Sequence, residues 1–178
     1  MQILQALDRG LDRLYGWCGY VAAALLVTLA ALIISSILSR LAGFYVPGLA
    51  EWSGYAMAGA SFLALAYTFR NRGHIRVAIL LNAVKGRVRH VLQLWCLLVA
   101  SLFSCFLAYY LVKMTYVSWR LEDRSEGADA VLLWIPQSVM AFGAVVLAVC
   151  VVHSTLRRLV GAADPIDEQG PPDPASEP

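Results

Sequence analysis

The feature that most constrains this chain is a set of four long stretches without a charged residue. Residues 14–39, 52–69, 91–112 and 130–152 contain no Asp, Glu, Lys or Arg and are rich in apolar side chains. At about 1.5 Å per residue, helices over these stretches reach roughly 27–39 Å, against a hydrocarbon core of about 30 Å. Lipid offers backbone amides no partners, and the chain lacks the long alternation of a barrel strand. We therefore predict an all-α fold, an integral membrane four-helix bundle over residues 1–160.

The overall composition agrees with this fold class. Hydrophobic residues make up 60% of the chain and charged residues 15%, with a mean hydropathy of +0.65, which exceeds what a soluble domain of this size needs. A net charge of +2 does not favour a nucleic-acid partner. The four cysteines lack a CxxC pair, so we expect small buried apolar side chains at Cys18, Cys96, Cys105 and Cys150.

The distribution of basic residues predicts the orientation. An even number of spans places both termini and the central loop on one side, and these segments hold ten of the fourteen Lys and Arg residues. The other two loops hold Arg40, Lys113, Arg120 and Arg124. The positive-inside rule then predicts that both termini are cytoplasmic.

The two ends of the chain are assigned from their composition. The first apolar run is too long for a signal peptide and has no clean cleavage site after it, so we expect it to be the first helix. Residues 161–178 carry five acids, five prolines and no base. Such a segment cannot bury enough apolar surface to fold, and it is predicted to be a disordered cytoplasmic tail.

No motif in the chain supports catalysis. The sequence lacks a phosphate-binding loop, HExxH and GxSxG, and the spans hold no cluster of acids and histidines, so we expect no enzyme activity, cofactor or metal. One alternative is a b-type cytochrome anchor, since His90 opens the third span and His153 closes the fourth. Another is a self-contained homo-oligomeric channel. Because the spans carry no charged midplane site, the favoured interpretation is a subunit of a larger complex.

The loop between the second and third spans predicts an interfacial helix. In segment 70–90, six bases and no acid flank the apolar residues Ile75–Val84, which are too few to span. The apolar side is expected to lie in the inner leaflet while the bases reach lipid phosphates. A plain basic loop is the alternative. The expected membrane-contacting residues are Arg72, His74, Arg76, Ile79, Arg87 and Arg89.

Two features point to a partner protein. Arg40 and Glu51 bracket the short loop after the first span and could pair, although exposed pairs stabilise little. The second span is dense in small residues, with Gly54 and Ala58 four apart, which permits close helix approach. The alternative is that this face packs against the other helices of the same chain.

These residues resemble a known family, the small membrane subunit of tripartite ATP-independent periplasmic (TRAP) transporters, over roughly residues 14–160. The resemblance rests on an arginine closing the first helix, an acid with a tryptophan opening the second, a glycine within it, and a basic turn with histidine. One departure is Ala50-Glu51-Trp52, where the family often shows tryptophan followed by two acids. The matching positions are Arg40, Glu51 with Trp52, Gly59, the sequence RNRGHIRV at 70–77, and Pro136 and Gly143 in the last span.

The resemblance implies a three-component complex. A large membrane subunit moves a small organic acid with sodium, a periplasmic solute-binding protein delivers it, and the small subunit acts as a scaffold that binds neither ion nor solute. By this resemblance, Arg40, Glu51, Trp52 and Gly59 are expected partner-interface residues, and the small face of the second span adds Gly54 and Ala58. The resemblance also implies that the complex lies in a bacterial inner membrane.

Overall fold

The computed structural model describes residues 2–44, 46–70, 87–127 and 129–159, and within these ranges the chain is helical without a β-strand. Its helices are α1 (Gln2–Leu41), α2 (Leu49–Arg70), α3 (Arg87–Leu121) and α4 (Trp134–Leu159). The all-α prediction is confirmed for this part of the chain. The predicted tail, 161–178, lies outside the described residues.

All four described helices are longer than the charge-free stretches that predict them. At about 1.5 Å per residue, α1 is roughly 60 Å long and α3 roughly 52 Å. Helix α3 continues through Lys113 to Leu121, because a charged side chain ends an apolar run without ending a helix. Helix α4 begins at Trp134 and not at 130, because the preceding residues form a loop with Ala130 at φ 44°.

Three helices of the described chain are long and apolar enough to cross a membrane. They contain Gly10–Leu41, Val91–Leu121 and Trp134–Leu159. Helix α2 is not among them, because glycine, serine and tyrosine dilute its apolar side chains. Its membrane span therefore stays a prediction.

The interfacial helix also stays a prediction. Residues 71–86, with Arg72, His74, Arg76 and Ile79, lie outside the described part of the chain. Arg87 and Arg89 belong to the first turn of α3.

The four helices pack in an open row in the order α1, α2, α4, α3. The hairpins α1–α2 and α3–α4 meet through α2 and α4, while α1 touches α4 only slightly. Half of the most apolar stretch of α4 is buried inside the chain, against 6% for α1 and 17% for α3. The outer helices therefore turn most of their apolar surface away from the protein.

Small residues let the two central helices approach closely. A Cβ added at Gly143 of α4 would lie 2.7 Å from the carbonyl carbon of Phe62 in α2, which is too close for any side chain. One cluster of buried residues joins α1, α2 and α4, and a second joins α3 and α4. They contain Tyr15, Cys18, Ala22, Leu63, Ala66, Val146 and Cys150, and Ala108, Ala144 and Ala148, respectively.

The expectation of buried cysteines is met in part. Cys18 and Cys150 are buried, and Cys96 is partly buried. The prediction is wrong for Cys105, which is exposed because the buried residues on either side of it, Ser104 and Ala108, lie on a different side of α3.

Candidate functional site: the loop end of the helix row

The two hairpin loops meet at one end of the row, which we call the loop end. The residues after α1 and the residues between α3 and α4 lie together there. The indole Nε1 of Trp52, in the first turn of α2, donates a hydrogen bond to Oδ2 of Asp129 at 3.0 Å. This bond joins residues that are 77 positions apart in the sequence.

A second contact runs beside the first. The Ser125 hydroxyl donates to Oε2 of Glu51 at 2.9 Å, and the backbone N–H of Gly127 donates to the Ser125 hydroxyl at 3.3 Å. A Cβ at Gly127 would lie 1.3 Å from Oε1 of Glu51. The Glu51 carboxylate thus occupies the space that a side chain at position 127 would fill.

The Asp129 carboxylate also lies against a glycine, this time in the other loop. A Cβ at Gly48 would be 1.9 Å from Asp129 Oδ2, and Gly48 has φ +84°, a conformation that L side chains rarely adopt. Each hairpin therefore places a carboxylate against a glycine of the other. We call Glu51, Trp52, Ser125, Gly127 and Asp129 the loop-end lock.

Backbone motifs position these residues. Helix α3 ends in a Schellman motif, in which Asp123 N–H donates to Ser118 C=O at 3.0 Å and Glu122 takes the left-handed position at φ 52°. The chain then folds back on itself through a β-bridge between Arg124 and Leu132. These contacts fix the loop that carries Ser125 and Asp129.

Helix α1 ends in the same motif. Phe44 N–H donates to Ser39 C=O at 3.1 Å, with Gly43 at φ +80°. Arg40 is exposed in the last turn of α1, and within the described residues no ion pair joins it to Glu51. The carboxylates of the lock are held by a hydroxyl and an indole, which are neutral donors.

The opposite end of the row holds the α3–α4 pair together through polar side chains. Thr155 donates to the backbone carbonyl of Leu97 at 3.3 Å, and Arg158 donates to the side-chain carbonyl of buried Gln93. The middle of the row is apolar. A groove of about 390 Å³ lies along α1, α2 and α4 and is open to the outside.

The groove offers no charged group to a solute. Its lining includes Leu14, Trp17, Val21 and Phe142, and Ser138 is its single hydroxyl. The described ranges contain no group of three His, Cys, Asp or Glu residues that could hold a metal ion.

The family is decided by a match that covers most of the chain. Residues 29–161 match the model of the DctQ component of tripartite ATP-independent periplasmic transporters. The chain belongs to this family. The resemblance to the small TRAP subunit is thereby confirmed, and the DctQ assignment makes the chain a membrane component of a tripartite transporter. No curated protein and no solved structure matches the chain.

The remaining predicted interface residues of this DctQ chain lie on different sides of α2. Gly59 is buried, and a Cβ there would meet Val139 of α4 at 3.2 Å and Leu25 of α1 at 3.3 Å. Gly54 is exposed with open space around it, and Ala58 is half-buried. The small face that packs inside the chain therefore includes Gly59, while Gly54 stays open to a partner.

Sequence reasoning singled out two residues of the DctQ loop end and missed the rest. Glu51 and Trp52 were named, whereas Ser125, Gly127, Asp129 and Gly48 were not. The one available signal was the sequence EDRSEGAD at 122–129, which gathers acids and a glycine between two apolar stretches.

Proposed function

We propose that this DctQ-family chain is the scaffold subunit of a TRAP transporter. It supports a large sodium-coupled membrane subunit and helps to dock a periplasmic solute-binding protein during uptake of a small organic acid. The loop end faces the periplasm in this proposal, because the segments at the opposite end carry ten of the fourteen basic residues.

The observation that carries the proposal is the loop-end lock on an open helix row. The bonds from Trp52 to Asp129 and from Ser125 to Glu51 tie the two hairpins together where a soluble partner has access. A tied loop end presents a surface of fixed shape, which lowers the ordering cost of docking. Exposed Arg40 and Arg124 lie in the same region and provide charges that steer association.

The open row supports the second half of the proposal. A layer whose outer helices bury only 6% and 17% of the residues in their most apolar stretches has a large apolar surface to offer to another membrane protein. The apolar groove carries no charged group for an organic acid or a sodium ion. Solute and ion binding are therefore assigned to the large subunit.

The experiment that tests the proposal reconstitutes the large subunit, the binding protein and this chain in liposomes in every combination. We expect sodium-driven uptake only when all three are present. Undiminished uptake without this chain would remove the scaffold role. Uptake by this chain without the large subunit would favour the self-contained channel instead.

Replacements in the lock separate docking from assembly. Glu51→Ala should lower coupled uptake and the affinity for the binding protein while co-purification with the large subunit persists. The matched control is Glu126→Ala, which removes an exposed carboxylate of the α3–α4 loop. An equal loss of uptake in both variants would contradict a specific role for Glu51.

A further inference from the structure

Helix α3 has two opposite faces of different chemistry. The face against α4 is built from small and polar residues, including buried Gln93, Ser104, Ala108 and Ser118. At about 100° per residue these four positions fall on one line along the helix. Because the side chains of Ser104, Ala108 and Ser118 are small, α4 can approach α3 closely.

The opposite face of α3 has no partner within the described chain. Its residues recur at spacings of three, four or seven, so they lie on one line facing away from α4. Trp95, Leu102, Phe106, Tyr109 and Tyr116 are each at least 54% exposed. We call these five residues, together with Lys113, the outward stripe of α3.

The depth of Lys113 follows from the packing of α3 on α4. Leu97 is level with Thr155, and Ala108 packs with Ala144. The two helices are therefore antiparallel, and a residue n positions further along α3 is level with a residue n positions earlier in α4. This register places Lys113 level with Val139.

Val139 in turn lies beside Gly59 of α2. Gly59 is seven residues, about 10 Å, past Trp52 at the loop end. Lys113 is therefore an exposed cation about two turns inside the row, at a level where α1, α2 and α4 carry only uncharged residues.

A cation at this depth is unfavourable against lipid tails, and ionisable residues in membrane spans pair with opposite charges. No hydrogen bond or ion pair ends on Lys113 among the residues that the structure describes. The aromatic side chains of this helix also contact one another, with ring centroids 4.4 Å apart for Phe106 and Tyr110. Aromatic residues give a rigid surface of the kind that carries binding energy at protein interfaces.

The outer face of α1 differs at the same depth. Val27 is 71% exposed and Ile34 56% exposed, and no charged residue occurs between Arg13 and Arg40. Aliphatic side chains without charge suit lipid tails. The two edges of the row are thus chemically distinct.

We propose that the outward stripe of α3 is the surface that binds the large subunit, through a transmembrane helix that places a carboxylate opposite Lys113. This inference rests on the proposed function and adds to it the helix and the charge that recognise the partner. The outer face of α1 faces lipid.

The test uses the complex of this chain with its co-expressed large subunit. A photo-crosslinking residue, p-benzoylphenylalanine, replaces Phe106 in one variant and Val27 in a second. We expect light-dependent adducts with the large subunit from position 106 and none from position 27. Adducts from 27 alone, or lipid adducts alone at 106, would overturn the proposal.

The charge is tested in the same complex. Lys113→Met should lower the amount of co-purified large subunit about tenfold or more, because it leaves a buried carboxylate unpaired. Lys113→Arg should restore most of it, and Val27→Met is the neutral control at the same depth. If Lys113→Met co-purifies with as much large subunit as the unaltered chain does, the charged pair is refuted.

The outcomes separate this inference from the function on which it rests. If the unaltered chain does not co-purify with the large subunit at all, the scaffold function fails. If it co-purifies and position 106 yields no protein adduct, only the assignment to α3 fails. Unchanged elution and helicity of isolated Lys113→Met exclude misfolding as the cause of a loss.

Discussion

Replacing Gly127 with alanine tests the loop-end lock directly. Its φ does not lie in the left-handed region, so alanine fits the backbone, but the new Cβ would lie 1.3 Å from Oε1 of Glu51. The Glu51 carboxylate must leave and gives up its hydrogen bond from Ser125. The substitution therefore removes a contact between the hairpins without touching any helix.

The size of the effect follows from the bond that is lost. A hydrogen bond to a charged group contributes about 1.5–3 kcal/mol, and the partial exposure of Glu51 lowers this to about 1–2 kcal/mol. For a chain of this size, each kcal/mol shifts the melting temperature by about 2–4 °C. We expect Gly127→Ala to lower the Tm of the detergent-solubilised protein by about 2–8 °C.

A double-mutant cycle with Glu51→Ala tests whether the loss of Tm comes from displacement of the Glu51 carboxylate. Once the carboxylate is absent, alanine at 127 has nothing to displace, and its Tm effect should fall close to zero or become slightly stabilising. Gly54→Ala is the matched control, since a Cβ there meets nothing within 4 Å. A Gly127→Ala loss of the same size in both backgrounds would refute the lock.

Four further substitutions test other contacts by the same thermal assay. Gly143→Ala should destabilise by about 1–3 kcal/mol, because its Cβ meets the α2 backbone, and a loss no larger than that of Gly54→Ala would contradict the close crossing. Gly43→Ala should lower the free energy of unfolding by about 1–2 kcal/mol because of its left-handed φ alone, whereas Glu122→Gly should raise it by a similar amount. A gain from Gly43→Ala together with a loss from Glu122→Gly would contradict the two Schellman motifs. Trp52→Phe should cost about 0.5–1 kcal/mol by removing an exposed indole hydrogen bond, and Trp17→Phe should be neutral.

The helices follow from local properties of the sequence, which is why they could be predicted. An apolar run of about 20 residues has one favourable form in lipid, so α1, α3 and α4 are each predicted from their own residues. The ends of the helices depend on different chemistry. Helix α3 continues past Lys113 to Leu121, and α4 begins only at Trp134, because caps and turns decide where a helix begins and ends.

The loop-end lock could be predicted only in part, because its contacts are long-range. The short loop before α2 marks Glu51 and Trp52 as the residues of a helix start. Their partners Ser125 and Asp129 depend on which helices are neighbours in the row. The order α1, α2, α4, α3 is set by small residues such as Gly143, whose packing partner cannot be read from spacing alone.

The central place of α2 has a consequence for how the chain is made. Helix α2 contacts α1 on one side and α4 on the other, yet it is not among the described helices that are long and apolar enough to cross a membrane. A weakly apolar segment enters a bilayer more readily when a neighbour covers its polar groups. We therefore expect α2 to insert together with α1 as a hairpin during synthesis. Since Ser125 and Asp129 leave the ribosome after α3, the loop end closes only when the second hairpin arrives.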